Sequence, residues 1–189
     1  MTLATRAAAR PRSRARSLRA AAAVAGALLV ALAAQVAVPL PGTPVPMTLQ
    51  PLAVLLVGGL LGPGPGAASL ALYLAAGAAG APVFTPLGAP GLARLFGPTG
   101  GYLLAFPFAA ALTGWLVARR PGWAGLVAGP LAGMLAIHAG GVAQLLLLTG
   151  NARAAVAAGT LPFVLGDCLK VLVAALVLRR TLPWTRALG

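Results

Sequence analysis

The feature that most constrains this chain is a long segment without charge: residues 20–93 contain no Asp, Glu, Lys or Arg. A soluble domain carries about 25% charged residues, whereas this chain has 8% and is 60% hydrophobic. A surface in contact with water cannot be built from such a segment. Intrinsic disorder is excluded as well, because it requires low hydrophobicity. The sequence therefore predicts an integral membrane protein.

The basic residues indicate orientation in the membrane rather than binding to nucleic acid. The formal net charge is +13, from 14 basic residues and one acidic residue. Many of the arginines crowd into Arg6–Arg19, and the others lie singly or in pairs at the ends of apolar runs. That distribution is typical of a topology signal and not of a basic stripe along a nucleic-acid groove. We expect no nucleic-acid partner.

Six apolar segments predict six transmembrane helices. They cover residues 20–38, 49–61, 67–80, 101–118, 122–148 and 161–178, with loops rich in Pro and Gly after the first and third, a Gly-Pro-Gly-Pro-Gly turn at 62–66, and a loop at 149–160. The predicted fold is all-α, a polytopic membrane domain of residues 20–180. A basic cytoplasmic tail, residues 1–19, precedes it, and a C-terminal cytoplasmic tail, residues 181–189, follows.

Two of these assignments have alternatives. Residues 20–38 also resemble the apolar region of a signal peptide, but 19 residues cover roughly 28 Å, enough to span a bilayer, which favours a retained helix. The second and third segments are short, so they form either two short crossings or a re-entrant hairpin. We favour the crossings.

The arginines predict that both termini are cytoplasmic. With six crossings, eleven arginines lie on the side of the N-terminus: Arg6, Arg10, Arg12, Arg14, Arg16, Arg19, Arg119, Arg120, Arg179, Arg180 and Arg186. Only Arg94 and Arg153 lie on the other side. The excess of Arg and Lys marks the cytoplasmic side of a membrane protein. A re-entrant hairpin would preserve the same orientation.

The sixth segment holds the only acidic residue and the only lysine of the chain, Asp167 and Lys170. Residues three apart share a face of a helix. Each costs about 2.5–3.5 kcal/mol at the centre of a membrane helix, so such residues indicate a functional site by default. Lys170 suits a ligand carboxylate and Asp167 suits N–H groups. The alternative is an ion pair that only fixes helix packing.

The remaining polar residues do not indicate catalysis. His138, in the fifth segment, is expected to pack against a neighbouring helix with a hydrogen bond to a carbonyl. One His, one Cys and one Asp give no credible metal site. The only lysine is followed by Val171, which excludes a P-loop. We expect neither an enzyme nor a resident cofactor.

Four segments together resemble the BioY family, the biotin-binding substrate (S) components of energy-coupling-factor (ECF) transporters. They are PVPMTLQPLAVLLVGGLLGP (44–63), YLAAGAAGAPVF (73–84), GPTGGYLLAF (97–106) and PFVLGDCLK (162–170). They occur in the order of the family and span most of the chain. The resemblance implies a six-helix protein of the cell membrane with a biotin pocket that faces outward.

The resemblance also implies which residues line that pocket. The D-x-x-K motif of the family, whose carboxylate and ammonium contact biotin, matches Asp167 and Lys170. Thr85 stands near the place where the family often has Asn. Further candidates are Thr48, Gln50, Phe84 and Tyr102. Three of them have a structural alternative: helix capping for Thr48, loop packing for Phe84 and anchoring at the membrane interface for Tyr102.

The implied partners are a transmembrane coupling protein and two ATPase subunits. Ala23, Ala27 and Ala31 lie four apart on the first helix and resemble the surface on which the family docks the coupling protein, although generic helix packing also explains such spacing.

Two other functions stay open. One is a structural or accessory membrane subunit with a packing ion pair, and the other is an S component for another vitamin.

Overall fold

The fold is mostly helical, as the sequence predicts. The computed structural model describes residues 4–120 and 122–187, and the side chains of residues 16–120 and 122–182. In chain order the elements are helix α1 (Ala4–Gln35), strands β1 (Ala37–Val38) and β2 (Met47–Thr48), helices α2 (Gln50–Leu61), α3 (Pro63–Ala78), α4 (Ala93–Phe96), α5 (Gly100–Arg119), α6 (Gly122–Thr149) and α7 (Ala152–Gly159), a 3₁₀ turn (Leu161–Phe163) and helix α8 (Val164–Ala187).

Four helical segments in the described part of the chain are long and apolar enough to cross a membrane. They are Arg16–Gln35, Gly100–Arg119, Gly122–Thr149 and Ala152–Leu182. Helix α2 has 12 residues and α3 has 16. At about 1.5 Å per residue they are roughly 18 and 24 Å long, shorter than the hydrocarbon core of about 30 Å. A multi-pass helical membrane protein is therefore confirmed, whereas the number of six crossings stays a prediction.

The ends of the chain differ from the expected tails. Helix α1 begins at Ala4 instead of Ala20, because Ala and Arg are strong helix formers and carry the helix through the basic segment. Helix α8 likewise continues to Ala187. Residues 1–3 and 188–189 of the two predicted tails, and the side chains of 4–15 and 183–187, lie outside the described residues.

The expected loop at 149–160 is wrong for most of its length, since it contains helix α7. The side chain of Asn151 caps this helix by accepting a hydrogen bond from the amide of Ala154 at 3.0 Å. The segment that follows is rich in Ala, the best helix former, but is too short and too weakly apolar to resemble a membrane helix. The loop prediction at 81–100 also misses the single turn of α4.

The turn between α2 and α3 is tighter than the five residues expected. Only Gly62 separates the helices, with φ at +82°, a conformation that favours glycine. Pro63 then starts α3 at a position where proline is well tolerated.

In the proline-rich loop after α1, Ala37 pairs with Thr48 and Val38 with Met47 in a short antiparallel ladder, a minor departure from the all-α prediction.

Helix α5 packs against α2, α3 and α6, and α8 packs against α2 and α6. Glycines allow the closest of these contacts. A Cβ on Gly58 would overlap the backbone of Ala110, and one on Gly101 would overlap the backbone of Gly140. Small residues promote such close approach of helices in membranes. The glycine-rich composition therefore serves the packing that surrounds the site.

Candidate ligand-binding site

A cavity lies among α2, α5, α6 and α8, next to the two Pro/Gly-rich loops. It encloses about 600 Å³ of space not filled by atoms, including the part open to solvent. Pockets for small molecules have mostly apolar walls with a few polar groups. The seven residues predicted to line the site all line this cavity: Thr48, Gln50, Phe84, Thr85, Tyr102, Asp167 and Lys170.

Asp167 is the centre of a buried polar cluster. Its Oδ1 accepts a hydrogen bond from Lys170 Nζ at 2.8 Å. Its Oδ2 lies 2.7 Å from His138 Nε2, which donates because a carboxylate only accepts. The exposed fractions of Asp167 and Lys170 are 6% and 7%. The carboxylate is therefore held by one donor on each oxygen.

Local structure explains why α8 carries this carboxylate. Asp167 lies in the first turn of the helix, where the positive end of the helix dipole stabilises a negative charge. The spacing to Lys170 places both side chains on one face. The pair that the sequence indicated is thus formed within a single helix.

His138 belongs to the site, which the sequence interpretation missed. As expected, one ring nitrogen faces a carbonyl, with Nδ1 3.2 Å from the oxygen of Gly159. The other nitrogen contacts Asp167, and this contact between α6 and α8 has no signal in the local sequence. The only signal in the sequence is that the single histidine lies inside an apolar membrane segment, as the ionisable pair Asp167 and Lys170 does.

Tyr102 is buried and fixes the end of α7. Its hydroxyl donates to the oxygen of Gly159 at 2.6 Å, the same oxygen that His138 faces. The exposed fraction of Tyr102 is 9%, so the side chain is not an anchor at the membrane surface. Its ring also meets His138 edge-on, with centroids 6.2 Å apart.

The start of α2 presents Gln50 to the cavity. Thr48 Oγ1 accepts from the Gln50 amide at 3.2 Å, although the capping position itself is Leu49. Gln50 Nε2 donates to the hydroxyl of Tyr73 at 2.7 Å. Phe84 packs edge-on against Tyr73 at 5.4 Å, so it combines loop packing with a place on the cavity wall.

Arg94 is the second site residue that the sequence interpretation missed. It was counted as a loop charge, yet its exposed fraction is 5% and it lines the cavity. Its Nη2 donates to the oxygen of Thr85 at 2.7 Å, and its Nη1 donates to the oxygen of Leu87. Thr85 Oγ1 donates to the same Leu87 oxygen at 3.2 Å. A signal existed, because Arg94 is the first charge after 74 uncharged residues.

The predicted docking face on α1 is partly used within the chain. Ala27 is buried in the core, Ala31 packs against that core, and Ala23 is half-buried. Helix α1 packs mainly on α3 and α2. These alanines are therefore separate from the cavity, and their role in docking stays a prediction.

Neither a metal cluster nor a disulfide emerges from the described residues. No group of three or more His, Cys, Asp or Glu side chains lies close enough to hold a metal ion among residues 4–120 and 122–187. Cys168, next to Asp167 on α8, is exposed and free. The polar groups of the cavity are thus suited to hydrogen bonding and charge pairing.

Comparison with known proteins places these features in one family. The sequence model of the BioY family matches residues 6–187. The biotin transporter BioY of Thermotoga maritima is 38% identical over 152 residues, which are 80% of this chain and 88% of that protein. Its counterpart in Rhodobacter capsulatus is 39% identical over 166 residues, 81% of this chain and 86% of that protein. The crystal structure of the S-component for biotin from an ECF-type ABC transporter matches with a TM-score of 0.79 and 26% identity, over 88% of this chain and 92% of that chain.

Proposed function

The chain belongs to the BioY family, and we propose that it captures biotin from outside the cell as the S component of an ECF-type transporter. The family consists of transporter components, so its members bind their ligand and do not transform it. The observation that carries the proposal for this chain is the buried Asp167 cluster in the wall of an otherwise mostly apolar cavity.

The chemistry of biotin fits the free capacity of this cluster. A carboxylate has about four acceptor positions, and His138 and Lys170 occupy two on Asp167. The others are available to the ureido N–H groups of biotin. Lys170 keeps two donors for the ureido oxygen. Phe106 and Phe163, both buried on the cavity wall, supply apolar surface for the thiophane ring and the tail.

This arrangement changes the role expected for Lys170. From the sequence, Lys170 was expected to attract the carboxylate of the ligand. Its ammonium lies 2.8 Å from Asp167, however, so its charge is already compensated. We therefore assign both residues to the ureido head of biotin.

The proposal includes six crossings with cytoplasmic termini, with α2 and α3 as short crossings. Four arginines are exposed: Arg119 and Arg120 at the end of α5, and Arg179 and Arg180 in the C-terminal half of α8. The guanidinium of Arg179 lies 4.5 Å from the ring centre of Trp123, at the start of α6. This contact shows that the start of α6 lies beside the part of α8 that carries Arg179 and Arg180. One side of the molecule thus collects these charges, as a cytoplasmic side does.

The proposed partners are a transmembrane coupling protein and two ATPase subunits. The exposed parts of Ala23 and Ala31 are the surface on α1 that such a coupling protein would contact. Energy for translocation would come from the ATPase subunits, while this chain holds the ligand.

Calorimetry on the detergent-purified full chain tests the proposal. We expect the wild type to bind biotin, and Asp167→Asn and Lys170→Met to bind it at least about tenfold more weakly, since each loses a charge-assisted hydrogen bond worth about 1.5–3 kcal/mol. Cys168→Ser, exposed on the same helix, is the matched control and should bind like the wild type. Undetectable binding by the wild type would refute the proposal.

The second candidate is a structural or accessory subunit in which Asp167 only pins helices. It is favoured by one observation, that His138 and Lys170 satisfy both carboxylate oxygens without a ligand. It predicts that apolar replacement of all three residues leaves biotin uptake unchanged. The third candidate is an S component for another vitamin. In a competition assay, that vitamin would displace labelled biotin from the protein.

A further inference from the structure

Arg94 is a buried cation in the same cavity whose charge no described residue balances. Its exposed fraction is 5%. The only acidic side chain of the sequence, Asp167, contacts His138 and Lys170, and Arg94 forms no salt bridge among the described residues. A buried charge is costly unless it is paired. The position therefore calls for a counterion that the described part of the chain does not supply.

The hydrogen bonds of Arg94 leave its guanidinium incompletely satisfied. Five N–H donors are available, and two carbonyl oxygens, of Thr85 and Leu87, accept from the Nη atoms. The buried Nε has no hydrogen-bond partner in the described part of the chain. Burial lowers the pKa of the Arg94 guanidinium from its ordinary value, and a smaller electrostatic effect of Tyr73 raises it. Carbonyl dipoles thus orient the guanidinium without neutralising it.

The charges of the cavity favour an anionic ligand. Asp167 and Lys170 form a neutral pair, so the positive charge of Arg94 is in excess. A guanidinium binds carboxylates through two parallel hydrogen bonds, which makes it the preferred group for this task. We propose that Arg94 binds the carboxylate of the ligand while the Asp167 cluster binds its head, an inference that rests on the proposed function.

The placement of Arg94 fits the two ends of such a ligand. Helix α4, which carries Arg94, packs on α3 and α5, whereas α8 packs on α2 and α6. The two polar groups therefore lie on different walls of the cavity. Arg94 also lines a second space of about 740 Å³, open to solvent in part, between the loop that follows α1 and the loop that precedes α5. Pro46 and Thr99, like Arg94, line both spaces.

The test compares biotin with biotinamide, in which a neutral amide replaces the carboxylate. Both ligands are titrated into the detergent-purified full chain, as wild type, Arg94→Gln and Arg94→Lys. Arg153→Gln, an exposed arginine on α7 outside the cavity, is the matched control. We expect the wild type and the control to prefer biotin by about 10- to 100-fold, the range of a charge-assisted hydrogen bond. Arg94→Gln should abolish this preference and Arg94→Lys should retain part of it, because an ammonium lacks the planar fork.

The ratio of the two affinities separates a ligand contact from a structural role. An equal loss of affinity for both ligands in Arg94→Gln would mean that Arg94 only supports the loop at Thr85 and Leu87, and would overturn the inference. The inference would also be overturned if Arg94→Gln kept the wild-type ratio of affinities for biotin and biotinamide, or if the wild type bound the two ligands equally well. If Arg94→Gln does not fold, the ratio in Arg94→Lys decides. A wild type that binds neither ligand would refute the proposed function itself.

Discussion

Replacing the Asp167 cluster as a whole separates its structural cost from its function. The variant His138→Phe/Asp167→Leu/Lys170→Met keeps the volume of each side chain roughly constant and removes every polar group. Replacing a buried ion pair by apolar residues of similar volume is often neutral or stabilising by about 1–4 kcal/mol. We therefore expect this triple variant to unfold at or above the temperature of the wild type without ligand.

The single change Lys170→Met should have the opposite effect on stability. Asp167 remains buried, at 6% exposure, and loses one of its two donors. Losing a buried partner costs about 3–5 kcal/mol when the remaining charge is unpaired. Here His138 still donates at 2.7 Å, so we expect the smaller cost of one charge-assisted hydrogen bond, about 1.5–3 kcal/mol. For a chain of this length that corresponds to a decrease of about 3–12 °C in Tm.

The assay is thermal unfolding in detergent, with and without biotin, for the wild type, the single and the triple variants. The wild type and Cys168→Ser should gain stability with biotin, and the triple variant should gain none, because a bound ligand stabilises only the state that binds it. A triple variant less stable than Lys170→Met would refute the reasoning about buried charge. A triple variant that biotin still stabilises would refute the role of the cluster in binding.

Three further changes test the surroundings of the site. Tyr102→Phe removes the hydrogen bond to the last carbonyl of α7 and should cost about 1 kcal/mol of stability, measured by thermal unfolding, with a smaller effect on affinity than Lys170→Met. Gln50→Leu leaves the buried hydroxyl of Tyr73 without its 2.7 Å partner; we expect a loss of about 1–3 kcal/mol in the same assay, and an unchanged Tm would contradict it. Gly58→Val should prevent folding, because its Cβ would overlap the backbone of α5, and normal yield of monodisperse protein in size-exclusion chromatography would show that α2 and α5 are not so close.

The sequence predicted the helical architecture because its signals are local. Apolar runs of sufficient length and prolines between them place both ends of α5 and α6, the end of α1 and the start of α8 within a few residues of their positions in the structure. The pair of Asp167 and Lys170 was found for the same reason, since a spacing of three on a helix fixes a shared face. Helix α7 was missed because membrane composition dominates the pattern, and a short alanine-rich segment has no strong apolar run.

The contributions of His138 and Arg94 could not be predicted, because they depend on contacts between distant segments. His138 lies 29 residues before Asp167 in sequence, and the two meet only where α6 packs on α8. Arg94 resembles any arginine of an outer loop until the carbonyls of Thr85 and Leu87 turn toward it. Charge counting gives the side of the membrane on which an arginine lies, but not whether its guanidinium faces water.

Glycine links the composition of this chain to the geometry of its site. A Cβ on Gly141 would overlap the ring of Tyr102, and one on Gly159 would lie 2.7 Å from its hydroxyl oxygen. That hydroxyl and His138 both meet the oxygen of Gly159, and His138 in turn contacts Asp167. A side chain at either glycine would therefore displace Tyr102 and, through one shared carbonyl, the histidine that holds the carboxylate. The small residues that allow membrane helices to pack thus also set the position of the buried charge.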